Sequence, residues 1–117
     1  MVRNYDRESA FAGKMHALLC RDYVKGRDWF DFIWYVGARV RLNHSLLSSA
    51  LNQYGPWAGK NIVSDDAWVK EKLLEVITSV DWEMAKRDVM PFVFASNRPT
   101  VELWSQNLFA RLTEKAF

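Results

Sequence analysis

The chain has 117 residues, enough for one folded unit and short for two. Half of the residues are hydrophobic and 15% are aromatic, which excludes an intrinsically disordered chain. Sixteen basic against fourteen acidic residues leave a formal charge of +2, which excludes the strongly basic footprint of a dedicated nucleic-acid binder.

Residues 1–5 form at most a short extended segment. Asp6 is a helix cap, and Phe11, Met15, Leu18 and Leu19 recur at three- and four-residue spacing, so a helix is predicted over 7–23. Gly26 interrupts the pattern, and a second helix is predicted over 27–41. Trp29, Phe30, Phe32, Ile33, Trp34, Tyr35 and Val36 make it apolar on nearly every side, broken only by Asp28 and Asp31. Such a helix is either the centre of a bundle or faces a partner. Asn43 caps a third helix over 44–54, stopped by Tyr54-Gly55-Pro56. A loop follows over 55–63. Ser64 is the expected cap of the fourth helix, whose positive end suits Asp65 and Asp66. Asp81 caps a short helix over 82–90 that ends before Pro91. Phe92, Val93 and Phe94 form a brief apolar connection, and Ser96-Asn97-Arg98-Pro99 a turn. Thr100 is the expected cap of a last helix over 101–115. The fold expected is an all-α, compact bundle of five to six helices, forming a single helical domain over 1–117.

The single cysteine, Cys20, cannot form an internal disulfide and sits in an apolar stretch, so it reads as a small core residue of a protein from a reducing, cytoplasmic setting. The first six residues hold no apolar signal-peptide core, and no run approaches the ~18 apolar residues of a membrane span. His16 and His44 lack Cys or carboxylate neighbours at metal-ligand spacing, so no metal site is expected in this chain.

The polar residues of the first two predicted helices are the candidates for chemistry. Lys14 and Arg21 are two helical turns apart and share a face. Asp28 and Asp31 are three apart and also share one. An antiparallel pairing of the two helices across the 24–27 turn brings two cations to two carboxylates. One reading is a set of salt bridges that ties the hairpin together. The other is a phosphate-binding Lys and Arg beside an acidic residue that handles a metal or a proton. Arg21, Lys25, Arg27, Arg39 and Arg41 also concentrate basic charge, either as a solvated face or as a patch for RNA or DNA.

Gly13-Lys14-Met15-His16-Ala17-Leu18-Leu19-Cys20-Arg21, followed by Lys25-Gly26-Arg27-Asp28-Trp29-Phe30-Asp31-Phe32, resembles the third and fourth motifs of the AbiEii/AbiGii nucleotidyltransferase toxin family. The close part of the match is a Lys-x-x-Ala-x-x-x-Arg segment and an Arg-Asp-x-x-Asp segment at short spacing. The resemblance implies transfer of a nucleotide from an NTP with Mg²⁺, within a bacterial toxin–antitoxin or abortive-infection system with a cognate antitoxin. It implies that Lys14 contacts the triphosphate or the nucleotide and that Asp28 or Asp31 supports the active site or the proton transfer. It implies that Arg21 and Arg27 position phosphates or brace the acidic pair.

The family's first two motifs, a Gly-Ser turn and an Asp-x-Asp or Asp-x-Glu pair on a strand, are missing. The chain has no Gly-Ser dipeptide and no Asp-x-Asp, and Asp6-Arg7-Glu8 stands at a helix start, where acidic residues cap. The expectation is therefore the C-terminal helical part of a larger nucleotidyltransferase, truncated with respect to the metal-binding half and inactive alone, whose partner is that N-terminal domain. The rival expectation is a stand-alone helical module that binds a protein partner, or a second copy of itself, through exposed aromatics.

Overall fold

Local caps account for most helix starts. The computed structural model describes residues 6–20 and 25–117. Asp6 accepts the Ser9 amide at 2.7 Å and opens α1 (Arg7–Cys20). Asn43 accepts the Leu46 amide and opens α3 (His44–Gln53). Asp81 accepts the Met84 amide and opens α5 (Trp82–Val89). These caps are as the sequence predicts. At α4 (Asp66–Ser79) the cap is Asp65, which accepts the Trp68 amide at 2.7 Å. Ser64, the expected cap, is buried and turned toward His44 instead.

The all-α expectation holds, with no strand among the described residues. They form seven α-helices rather than five or six. The extra helix arises because Ser105 accepts the Leu108 amide and starts a new one. The predicted helix over 101–115 thus splits into α6 (Arg98–Glu102) and α7 (Gln106–Ala116). Two 3₁₀ turns, Met90–Phe92 and Ala95–Asn97, join α5 to α6. The predicted extended segment over 1–5 and the end of the first predicted helix lie outside the described residues.

The second helix, α2 (Gly26–Gly37), ends four residues before its expected end. Arg39 takes a left-handed conformation with φ 58°. The Val40 amide then reaches back to the Tyr35 carbonyl and the Arg39 amide to the Val36 carbonyl. This six-to-one closure is a Schellman motif, with arginine where glycine is usual.

The start of α2 is built from a distance. Its preceding residue, Lys25, offers no side-chain cap. The Gly26 amide donates instead to the Asp88 carboxylate of α5 at 2.6 Å. Gly26 permits this approach, because a Cβ there would lie 2.3 Å from the Ala85 carbonyl oxygen.

The buried apolar side chains form one contiguous cluster. Phe109 of α7 stands at its centre. Its ring stacks on Trp82 at 4.3 Å and meets Trp29 and Trp104 edge-on at 5.3 Å each. Phe32 lies 6.3 Å away. Thus α2, α5, α7 and the α6–α7 connection share one aromatic centre, and α2 also packs on α1. The helix that reads as apolar on nearly every side buries Trp29 and Phe32 and leaves Trp34 half-exposed under the Arg7 guanidinium. The loop before α4 is fastened by Asn52, whose amide donates to the Ser48 and Ile62 carbonyls while its oxygen accepts the Ile62 amide.

Two stability predictions follow from the ends of α2. Gly26→Ala forces its methyl against the Ala85 carbonyl and is expected to cost about 2–3 kcal/mol in urea unfolding. A loss below about 0.5 kcal/mol would show that the helices part at no cost. Arg39→Val should destabilise the chain by about 1 kcal/mol, whereas Arg39→Gly should leave its melting temperature level or raise it.

Candidate active-site hairpin

The first two helices run antiparallel. Lys14 meets Asp28 and Asp31, while Phe11, one turn earlier, meets Phe32 and Tyr35. The Lys14 ammonium lies 2.8 Å from Asp28 Oδ1 and 2.9 Å from Asp31 Oδ2. One cation therefore bridges both carboxylates predicted for chemistry. Asp28 is buried, with its side chain 5% exposed, whereas that of Asp31 is 48% exposed. Asp28 also sits in the first turn of α2, where a negative charge meets the helix's positive end.

Aromatic packing sets this geometry. Asp28 and Asp31 each precede a buried ring, Trp29 and Phe32, by one residue. With those rings locked against Phe109, the carboxylates turn toward α1. Burial works against the Lys14 ammonium, but hydrogen bonds and attraction from Asp28 and Asp31 outweigh it, so its pKa rises above the usual 10.5.

The two arginines expected beside this group fare differently. Arg21 lies outside the described residues. The Arg27 guanidinium lies 4.5 Å from the centre of the exposed Phe92 ring. The basic run also divides. Lys25 and Arg27 stand at one end of α2 and Arg39 and Arg41 beyond the other, so these four make no single patch.

His16 approaches the Tyr54 carbonyl at 3.2 Å. His44 lies between Ser64 Oγ and Asp66 Oδ1, 2.7 Å from each. This bridge ties the start of α3 to the start of α4. Sequence reasoning missed it, because the residues lie in segments whose pairing only the fold decides. Cys20 is partly buried, which pushes its thiol pKa up, and its sulfur lies 3.0 Å from where a Cβ on Gly55 would fall. Both Asp-x-Glu sequences serve helix starts. Asp6 caps α1, Asp81 caps α5, and Glu83 pairs with Lys86 at 2.9 Å.

A family model described as the nucleotidyl transferase AbiEii toxin of a type IV toxin–antitoxin system matches residues 1–107. The chain belongs to that family. No curated protein and no solved structure matches it significantly. No helix among the described residues is long and apolar enough to cross a membrane.

Removing the shared cation should cost more than removing the exposed carboxylate. Lys14→Met leaves Asp28 buried beside one fewer cation and is expected to cost about 1–3 kcal/mol. Asp31→Asn should cost under about 1 kcal/mol, since its carboxylate is half in water. The reverse order in urea titrations would contradict the shared-cation geometry. Because the Lys14 pKa is raised, its contribution is fully present below pH 10.5 and is lost as pH climbs through the raised value.

Proposed function

We propose that this chain carries the lysine–aspartate half of a nucleotidyltransferase site and does not transfer nucleotides by itself. The observation that carries this reading is Lys14 held at 2.8 and 2.9 Å by the two aspartates of the Arg-Asp-x-x-Asp segment, in a chain of the AbiEii family. In this reading Lys14 meets the triphosphate of an NTP, where a fixed positive charge stabilises developing negative charge. Asp31, the more exposed carboxylate, faces the substrate, and Asp28 positions Lys14. Arg21 and Arg27 hold phosphates.

The divalent metal implied by the family does not fit the groups described. Among the described residues no set of three or more His, Cys, Asp or Glu side chains could hold a metal ion. Asp28 and Asp31 are both occupied by Lys14. The sequence also contains neither a Gly-Ser dipeptide nor an Asp-x-Asp pair. The metal-binding carboxylates therefore come from another polypeptide segment, which makes that segment the first partner. The cognate antitoxin is the second, and the cytoplasm their setting.

A stand-alone interaction module is the competing reading, favoured by the exposed Phe92, Phe94 and Leu103. Labelling separates the two. The chain alone, given α-³²P-labelled NTPs, Mg²⁺ and total RNA, should label nothing. A protein that joins it to a segment bearing the Gly-Ser and Asp-x-Asp motifs should label an acceptor, and Lys14→Ala should lower that rate roughly 100-fold or more. Labelling by the chain alone would sink the half-site reading. Full activity of the joined Lys14→Ala protein would remove Lys14 from the reaction.

A further inference from the structure

Three consecutive residues open α2, and each is held by a different partner. The Gly26 amide donates to Asp88 Oδ2 of α5 at 2.6 Å. The Arg27 guanidinium lies 4.5 Å from the centre of the Phe92 ring, in the turn that follows α5. The Asp28 carboxylate takes the Lys14 ammonium of α1 at 2.8 Å. Because α2 packs on both α5 and α1, its first turn links Asp88 to Lys14.

The link is short. A Cβ on Gly26 would fall 2.3 Å from the Ala85 carbonyl oxygen and 3.0 Å from Val89 Cβ, so backbone meets helix with no side chain between them. Ala85, Asp88 and Val89 stand at i, i+3 and i+4 and share one face of α5. Lys25, in the cap position of α2, makes no side-chain cap bond, so this amide depends on Asp88. A carboxylate that accepts from an N-terminal amide makes a charge-assisted bond, stronger than a neutral one. A helix whose first amides lack partners frays from its first turn. Asp28 lies in that turn, and its own amide closes on the Lys25 carbonyl at 3.0 Å.

We propose that Asp88 is a positioning residue for the Lys14 cluster: by fastening the first turn of α2 from α5, it keeps Asp28 where it holds the Lys14 ammonium. Among the described residues the ion pairs of Lys14 are with Asp28 and Asp31, so Asp88 acts through Asp28. As a statement about catalysis the proposal rests on the half-site reading above; as a statement about Lys14 it does not.

The test follows hydrogen exchange of the Lys14 ammonium and the Asp28 amide by ¹⁵N NMR on the whole chain. Asp88→Ala should speed both about fivefold or more, the size of a lost helix cap. Asp88→Asn keeps an oxygen acceptor for the Gly26 amide and should stay within about twofold of the unaltered chain. Asp65→Ala removes the cap of α4 and should lower the melting temperature while leaving both rates within about twofold. If Asp88→Ala does not fold, Asp88→Ser replaces it with the same expectation, since its hydroxyl stops short of the amide. The proposal is overturned if the melting temperature falls and Lys14 exchange does not change, if Asp65→Ala moves Lys14 equally, or if Asp88→Asn restores nothing. In the joined protein of the labelling assay, Asp88→Ala should lower the rate about fivefold or more and Asp88→Asn should restore it. An unchanged rate there also overturns the proposal. An unaltered joined protein that labels nothing fails the half-site reading instead, and the exchange rates then decide the positioning by themselves.

Discussion

Phe109 holds the candidate site in place without touching it. Its ring is clasped by Trp82 of α5, Trp29 of α2 and Trp104 just before α7. The direction in which α2 presents its polar residues follows from this contact. Trp29 and Phe32 are drawn into the aromatic centre, and each is preceded by an aspartate. Rotating α2 to expose one ring would swing both carboxylates off Lys14. The hydrophobic interaction, which has little direction of its own, thus acquires one through ring shape and helix period.

A second constraint fixes α2 along its axis. The Gly26 amide is bound to Asp88, and the glycine leaves no side chain between that amide and α5. Asp88 lies near the C-terminal end of α5, where the helix dipole disfavours a negative charge. Its hydrogen bond to the first amide of α2 offsets that placement. One carboxylate therefore serves as the missing cap of a helix remote in sequence. The opposite end of α2 closes through the left-handed Arg39.

How much of this was legible in the sequence depends on the range of each interaction. Asp6, Asn43 and Asp81 act within three residues, and their roles could be read from position alone. Ser105 acts at the same range, but its helix merged with the preceding apolar pattern, so the break was missed. Ser64 looked like a cap and was outcompeted by Asp65, while its hydroxyl went to His44. The meeting of Lys14 with Asp28 and Asp31 was legible because all three belong to neighbouring helices of one hairpin. Asp88 is 62 residues from Gly26, and nothing in its local sequence marks it as a cap. Arg27 was grouped with the cluster by its motif, and its contact with the exposed Phe92 ring, delivered by a distant turn, was not legible.

The double grip on Lys14 has a consequence for selectivity. Any anion that recruits this ammonium must compete with two carboxylates already within 2.9 Å. A weakly charged anion such as chloride has little with which to displace them. A polyphosphate can offer several oxygens and more charge at once. If Lys14 is the phosphate contact proposed above, the clamp is a threshold that favours a polyphosphate over a monovalent anion, since a ligand must offer more than the two carboxylates already do.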